Sequence, residues 1–311
     1  MENYEDYLTE KFWEISSEMM KDKDINEIKK YILGFIFYKY LSEKIDLTLS
    51  NELKNDKLTF EEAYSSSDYS NALKEEAFDT LGYFIEPEFL FKNLVEQAKV
   101  EDDDFLLNVE RALKKVNDSV IGKKSAPDFE NLFSDINLNS PILGDNVSSQ
   151  SKSIGNLFIK LDSIDFKINE DIKYLADSYE WLIAKFAIET GSEANKLYTP
   201  KTISNLISKI VTHDKSKILS VFDPACGSCS LLLNLNNDVK VSNFFGQEIL
   251  QTTYNHARMN MLLHNIHFDD FNIKHGDSLE NPKFLDNTFE VVVSHPTFSN
   301  ISTFSRLSSI P

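Results

Sequence analysis

The feature that most constrains the fold is an alternation of short apolar runs with helical segments in the last third of the chain. The runs at residues 218–222, 244–246, 271–274 and 289–293 have the length and apolar character of buried strands. Segments with a helical pattern separate them, such as residues 251–264 (QTTYNHARMNMLLH). Buried strands that alternate with helices predict a parallel, doubly wound α/β sheet.

The earlier part of the chain has a helical pattern. From residue 4 to about residue 115 it is rich in Leu, Ile, Phe, Lys and Glu with very little Gly or Pro, which predicts an all-α domain. Residues 28–45 are almost continuously apolar and aromatic, so this helix is expected at the centre of the bundle. Residues 171–190 predict an amphipathic helix, and Thr199 and Pro200 are expected as N-cap and first residue of the next one.

Composition predicts two domains, which a chain of 311 residues is long enough to form. Between roughly residues 117 and 153 the sequence shifts to Ser, Asn, Asp, Gly and Pro, which disfavours long regular elements. We place the boundary at the end of this stretch. The prediction is a helical domain over residues 1–155 and an α/β domain over residues 156–311.

Charge and cysteine content narrow the classes of function. The formal net charge of −18 argues against a protein that binds nucleic acid by itself, because phosphate binding requires clustered Lys and Arg. A role on DNA would depend on a basic partner. Two cysteines, no leader peptide and no apolar run of membrane-spanning length predict a soluble, cytoplasmic protein with no membrane partner.

The two cysteines, Cys226 and Cys229, lie in the sequence VFDPACGSCSLLL. They are too few for a four-cysteine zinc site, and no His stands at a spacing that completes a Cys/His site, so no metal is predicted. A redox pair would need an exposed thiolate at a helix start in a thioredoxin-type fold, which this pattern does not predict. The other interpretation is a turn between the first strand and first helix of the sheet, where such sheets bind ligands.

A small-residue loop at that turn allows backbone N–H groups to approach a ligand closely. An acidic residue about twenty positions later, at the end of the second strand, can accept hydrogen bonds from ribose hydroxyls. Glu248 stands at such a position. Dehydrogenases and methyltransferases share this arrangement, but the G-x-G-x-x-G spacing of dehydrogenases is absent here.

At these residues the sequence resembles the modification (M) subunit of type I restriction-modification systems, a family of adenine-N6 DNA methyltransferases. The resemblance covers nearly the whole chain, and DPACGSCS is similar to the family's D-P-A-C-G-S-G-G cofactor loop, with Cys229 in place of a glycine. The other matching segments occur in the family's order: ILGFIFYKYLSEKID, SYEWLIAKFAIETGSEANKLYTP, GQEI, RMNMLLHNI and HGDSL.

The resemblance implies a Rossmann-like methyltransferase sheet with S-adenosylmethionine as cofactor. It also implies that the chain assembles with a specificity (S) subunit and a restriction (R) subunit, and that it binds double-stranded DNA through the S subunit. Glu248 would hold the ribose and Asp277 would reach the adenine amino group. The remaining cofactor contacts that the resemblance implies are Asn195, Lys196, Leu197, Tyr198, Thr199 and Pro200 at the methionine end, and Asp223, Gly227, Ser228, Cys229 and Ser230 in the loop.

The sequence departs from the family at the catalytic loop, which is Asn-Pro-Pro-Phe or Tyr in the family. The Asn oxygen and a proline carbonyl accept hydrogen bonds from the target amino group, and the aromatic ring stacks on the flipped base. Here the loop reads His295, Pro296, Thr297 and Phe298. An imidazole offers one acceptor, which protonation removes, and Thr297 makes the loop less rigid than proline would.

Two further departures bear on activity. A side chain at Cys229 is a strain or a clash if this position needs a positive φ. The sequence also ends at Pro311, whereas the family continues with more strands, so we expect a truncated sheet with an unpaired edge strand. The chain is then either an enzyme subunit that acts with a specificity subunit, or a degenerate M-type protein that retains only cofactor binding or protein interaction. The altered loop and the truncation favour the second.

Overall fold

The computed structural model describes residues 4–168, 170, 172–190 and 199–296. The chain divides into two compact units. The first consists of Met1–Ile183 with Arg258–Asn272, and the second of Ala184–Ala257 with Ile273–Pro311.

The first unit is helical, as the sequence predicted. Its helices are α1 (Tyr4–Met19), α2 (Ile25–Glu52), α3 (Phe60–Tyr64), α4 (Ser67–Thr80), α5 (Phe91–Lys99), α6 (Phe105–Ser119), α7 (Ala126–Phe129), α8 (Val147–Asp162) and most of α9 (Ile172–Glu189). Short 3-10 turns at Leu53–Asn55 and Pro87–Phe89 connect some of them. No helix among the described residues is both long enough and apolar enough to cross a membrane.

Helix α2 is the centre of this unit. Every residue from 31 to 42 is buried, including Lys39, so the helix is surrounded on all sides as predicted. The Asp24 carboxylate caps its first turn by accepting from the Asn26 N–H at 2.8 Å. Lys39 pairs with Glu43 and lies 4.2 Å from the ring centre of Phe166, which compensates the burial of its charge.

One expectation about the Ser- and Asn-rich stretch was wrong. Residues 147–153 were assigned to a region without long elements, yet they form the first turns of α8, and the predicted domain boundary after residue 155 lies inside this helix. The physical reason is a capping box: Asn146 accepts from the Ser149 N–H at 2.9 Å, and Ser149 accepts from the Asn146 N–H at 3.2 Å.

Residues 258–272 belong to the helical unit although they follow the α/β segments in sequence. The Tyr40 hydroxyl of α2 donates to the Leu262 carbonyl at 2.9 Å, and Lys44 donates to the Asn265 side chain at 2.8 Å. Arg258, which is 1 % exposed, donates to the carbonyl of Glu130 at 2.9 Å. Hydrogen bonds from α2 and from the segment after α7 therefore hold this stretch in the first unit.

The α/β part contains the parallel sheet that the sequence predicted. Its four strands lie in the order β5-β4-β2-β6, and both the β2–β4 and the β2–β6 pairs are parallel. Strands β1 and β3 form a separate, two-stranded parallel sheet. The elements are α10 (Lys201–Val211), β1 (Lys217–Ile218), β2 (Val221–Asp223), α11 (Ser230–Asp238), β3 (Lys240–Val241), β4 (Phe244–Glu248), α12 (Gln251–Leu263), β5 (Phe271–His275) and β6 (Val291–Val292).

Candidate functional site

A cavity of about 420 Å³ opens at the carboxyl ends of the parallel strands of the second unit. Five segments line it: the residue before Pro200, the loop between β2 and α11, the end of β4, the loop after β5, and the residues after β6. This is the edge at which open parallel sheets bind ligands. Predicted site residues among the lining are Thr199, Gly227, Ser228, Ser230, Glu248, Asp277, His295 and Pro296.

The loop between β2 and α11 lies directly against β4. The Cys226 N–H donates to the Gln247 carbonyl at 3.0 Å. A Cβ atom on Gly246 would stand 2.8 Å from the Cys226 sulfur, closer than two such atoms can approach. Glycine at residue 246 is therefore what lets this loop pack onto the strand.

Cys229 has a left-handed backbone, with φ of 65° and ψ of 9°, immediately before the first residue of α11. Cys229 therefore adopts the positive φ that the sequence left open. This conformation lowers the stability of the folded state by roughly 1–2 kcal/mol for a non-glycine residue. The Cys229 side chain is also fully buried.

Neither cysteine is suited to redox catalysis. Both are free and buried, with Cys226 5 % exposed and Cys229 0 % exposed. A hydrogen bond with the Cys229 side chain, together with burial, raises the pKa of the Cys226 thiol well above its usual range. The attacking species in thiol chemistry is the thiolate, so the Cys226 thiol is held in its unreactive form, and the Cys229 side chain is buried away from solvent.

Glu248 ends β4 and stands at the wall of the cavity, only 6 % exposed. One carboxylate oxygen accepts from the Gly227 N–H at 3.1 Å and the other from the Leu250 N–H at 2.8 Å. Burial raises the pKa of this carboxyl group, and the backbone donors oppose that shift. A carboxylate has about four acceptor positions, so Glu248 can hold the loop and still accept from ribose hydroxyls, as the predicted cofactor requires.

The loop after β5 brings Asp277 to the same cavity. Its Oδ1 accepts from the N–H groups of Leu279 at 2.8 Å and Glu280 at 3.3 Å, so one carboxylate oxygen shapes the turn. The neighbouring Ser278 hydroxyl donates to the Pro224 carbonyl and ties this loop to the β2–α11 loop. Asp277 thus combines a structural role with a position at the cavity wall.

Gln247 is a positioning residue that the sequence analysis missed. Its side-chain amide donates to the Asn281 carbonyl at 3.1 Å and accepts from the Lys283 N–H at 3.0 Å, and the residue is 1 % exposed. It therefore holds the far end of the loop that carries Asp277. The signal available in the sequence was a glutamine next to Glu248 at the end of a short, mostly buried strand.

His295 and Thr199 approach each other across one side of the cavity. The Thr199 hydroxyl and the His295 Nδ1 lie 3.5 Å apart. The prediction that Thr199 caps α10 was wrong: Pro200 is the N-cap, and its carbonyl accepts from the Ile203 N–H at 2.9 Å. The Thr199 side chain is consequently available to the cavity instead.

The other predicted site residues are either outside the cavity lining or outside the described part of the chain. Pro200, Asp223 and Cys229 are described by the structure but are not part of the cavity lining. Asp223 is 2 % exposed, and its Oδ1 accepts from the Ala225 N–H at 2.9 Å. Burial raises the pKa of Asp223 to about 6. The predicted residues outside the described part of the chain are Asn195, Lys196, Leu197, Tyr198, Thr297 and Phe298.

Comparison with known proteins assigns the family. The model of the HsdM N-terminal domain matches residues 8–161, and the model of the N-6 DNA methylase family matches residues 170–307. The chain belongs to the family of type I restriction-modification methylase subunits. This membership confirms the predicted fold class and supports S-adenosylmethionine as the cofactor.

Individual relatives agree with this assignment. The methylase subunit of the type I restriction enzyme MpnII from Mycoplasma pneumoniae is 32% identical over 312 residues, covering 93% of this chain and 57% of the relative. The MjaIX methylase subunit from Methanocaldococcus jannaschii is 25% identical over 313 residues, with 93% and 50% covered. The chain thus spans about half the length of these curated relatives.

A solved structure in the same family has the same fold. It is the methyltransferase subunit of a type I restriction-modification system from Streptococcus thermophilus, with a TM-score of 0.84 and 28% sequence identity. The match covers 95% of this chain and 64% of that one.

The strain at Cys229 predicts an unusual order of stabilities. Glycine adopts a positive φ without penalty, so Cys229→Gly should have a free energy of unfolding about 1 kcal/mol higher than Cys229→Ala. Chemical denaturation followed by circular dichroism measures the difference. Cys226 is the matched control, since it is buried in the same loop and its φ is not positive; there the alanine variant should be the more stable. The same order at both positions would contradict this account.

The buried Asp223 predicts a pH-dependent stability difference. Because its folded pKa is raised, the native state binds a proton more readily than the unfolded state, and this carboxyl favours folding more as pH falls from 7 towards 4. Asp223→Asn keeps the acceptor for Ala225 and should be more stable than the wild type at pH 7.5, by up to about 3 kcal/mol.

Thermal unfolding at pH 7.5, 6 and 5 tests this expectation. The advantage of Asp223→Asn should shrink as the pH falls through about 6. Asp286→Asn, at an exposed loop carboxylate, is the control and should show no such trend. An advantage that does not vary with pH would show that charge burial is not its source.

Proposed function

We propose that this chain binds S-adenosylmethionine in the cavity at the strand ends and serves as the adenine-N6 methylating subunit of a type I system, with methyl transfer slowed by its altered catalytic loop. The observation that carries the proposal is the convergence of Glu248, the glycine-containing loop and Asp277 on one cavity. This combination provides acceptors for ribose and adenine beside a backbone that a ligand can approach closely.

The proposed cofactor-binding roles follow from the hydrogen-bond acceptor positions that these side chains do not use within the protein. The Glu248 carboxylate interacts with the backbone N–H groups of Gly227, Leu250 and Ile249, and its remaining acceptor capacity suits a ribose hydroxyl. The Oδ2 atom of Asp277 suits the adenine amino group, because Oδ1 is engaged in its own turn. Thr199 lines the same cavity beside His295, in keeping with a methionine end bound by residues 195–200.

The catalytic loop would act on the target adenine through His295, Pro296, Thr297 and Phe298. When bound, the cofactor supplies an electrophilic methyl group. Pro296 retains a carbonyl acceptor, whereas His295 offers a single ring nitrogen and has the Thr199 hydroxyl as a neighbour at 3.5 Å. Loss of a positioned acceptor of the asparagine kind lowers rates by on the order of 100- to 1,000-fold.

Partners would supply the DNA contacts. The residues assigned to the second unit include ten acidic and ten basic side chains, so the net charge of −18 resides in the helical unit. Neither unit is basic enough to bind phosphates strongly without help. We therefore propose that a specificity subunit carries the DNA to this chain and that a restriction subunit completes the system.

A second candidate function is cofactor binding or protein interaction without methyl transfer. The altered loop at His295 and the strained Cys229 before α11 favour it. The two candidates differ in catalysis, and the protein-interaction form of the second needs no cofactor, so binding and methylation must be measured separately.

Calorimetric titration with S-adenosylmethionine tests the cofactor site. Asp277→Asn preserves the Oδ1 acceptor of the turn and removes the charge facing the cavity, so it should weaken binding by about tenfold. Glu248→Ala should abolish binding, since it removes the ribose acceptors and the anchor of Gly227 together. Asp286→Asn, on an exposed loop of the same unit, should bind as the wild type does. Absence of binding by a folded wild-type chain would refute methyl transfer and cofactor binding, and would leave only the protein-interaction role of the second candidate.

Methylation of DNA in the presence of a specificity subunit tests the catalytic loop. His295→Asn restores an amide acceptor and should raise the rate of methyl transfer by about 100-fold with little change in cofactor affinity. His213→Asn, at an exposed residue of the same unit, is the control. Equal rates for wild type and His295→Asn would contradict the assigned role of this residue, and no transfer by either would favour the second candidate.

A further inference from the structure

Three potential metal ligands converge in the helical unit, outside the proposed cofactor site. Asp177 and Glu180 lie on α9, three residues apart and therefore on the same face of the helix, and His264 directly follows the last residue of α12. One ligand atom of each lies within 4.8 Å of the other two. Their side chains are 17%, 23% and 17% exposed, so the cluster is partly shielded from water.

A contact outside the cluster orients the imidazole of His264 for ligation. Its Nδ1 lies 2.9 Å from the Asn260 carbonyl, which can only accept, so this nitrogen carries the proton. The lone pair of the neutral ring is then on Nε2, and Nε2 is 3.8 Å from the Glu180 carboxylate. Metal-bound histidines have this arrangement, with the second ring nitrogen donating to a carbonyl or carboxylate.

The charges around the cluster favour a cation. Ligand atoms of one imidazole and two carboxylates lie within 4.8 Å of one another, and a metal ion between them would bind to all three. The Lys173 ammonium pairs with Asp177 at 2.5 Å, but its side chain is 61% exposed and can turn away into solvent. The unit as a whole carries the full net charge of −18, which raises the local concentration of cations.

We propose that Asp177, Glu180 and His264 form a binding site for a divalent transition-metal ion, with zinc as the best match. One imidazole and two carboxylates are ligands that zinc accepts, and solvent would complete the coordination. Hard cations such as Mg²⁺ prefer oxygen ligands alone and should bind more weakly here. The bound ion would link α9 to the carboxyl end of α12 within the helical unit.

The competing explanation is a simple ion pair between protonated His264 and Glu180 at the end of a helix. The two explanations make opposite predictions for added metal. A metal site takes up one equivalent of zinc, whereas an ion pair gains nothing from zinc.

The experiment is calorimetric titration of the full chain, free of any affinity tag and treated with a chelator, with ZnCl₂ at pH 7.5. We expect one equivalent bound with a Kd below about 10 µM, and at least tenfold weaker binding in both His264→Ala and Glu180→Gln. Cobalt(II) in place of zinc should give visible absorption bands that His264→Ala removes. Circular dichroism of each variant establishes that it is folded before titration.

His213→Ala is the matched control. His213 lies 3.4 Å from the Asp214 carboxylate, but it is 79% exposed and belongs to none of the three-ligand clusters among the described residues. Its replacement should leave the zinc affinity unchanged within a factor of two. No zinc uptake by the wild type, or uptake that His264→Ala leaves intact, would overturn the proposal and leave the ion pair. Neither result depends on whether the other unit binds S-adenosylmethionine.

Discussion

The cavity of the second unit depends on how closely the β2–α11 loop approaches β4. Gly246 permits that approach because any side chain there would collide with Cys226. Two hydrogen bonds then hold it, from Cys226 to the Gln247 carbonyl and from Gly227 to the Glu248 carboxylate. The residue proposed to bind ribose is therefore also the anchor of the loop, so binding and local structure cannot be altered independently at Glu248.

The same geometry places several unfavourable features in a small volume. The carboxyl groups of Asp223 and Glu248 are both buried, and burial raises the pKa of each. Cys229 adds a left-handed backbone conformation. Buried carboxyl groups and strained backbone conformations are common at sites that bind charged or polar ligands. A group held away from water gains more from a hydrogen bond to such a ligand than an exposed group does. The rest of the sheet must supply the stability that these residues remove.

Much of the fold could be predicted because it depends on local patterns. The continuous apolar run of α2 can only be buried at the centre of a bundle, and the short apolar strands separated by helical segments can only form a parallel sheet. The placement of Glu248 and Asp277 at the cavity was predictable, because each lies at or just after the end of a strand and the strand ends meet at one edge of the sheet. Capping was predicted less well: the start of α8 was hidden in a Ser-rich stretch, and the cap of α10 is Pro200 rather than Thr199.

The sequence by itself determined the family and the cofactor, because its ordered motifs resemble those of the family, and it determined the order of the elements through its apolar patterns. Only the tertiary structure decided that residues 258–272 join the helical unit, that Gln247 supports the Asp277 loop, and that Asp177 and Glu180 meet His264. These relations join side chains that are far apart in sequence or that could point either way from a strand. Their contacts arise from packing, which no local pattern specifies.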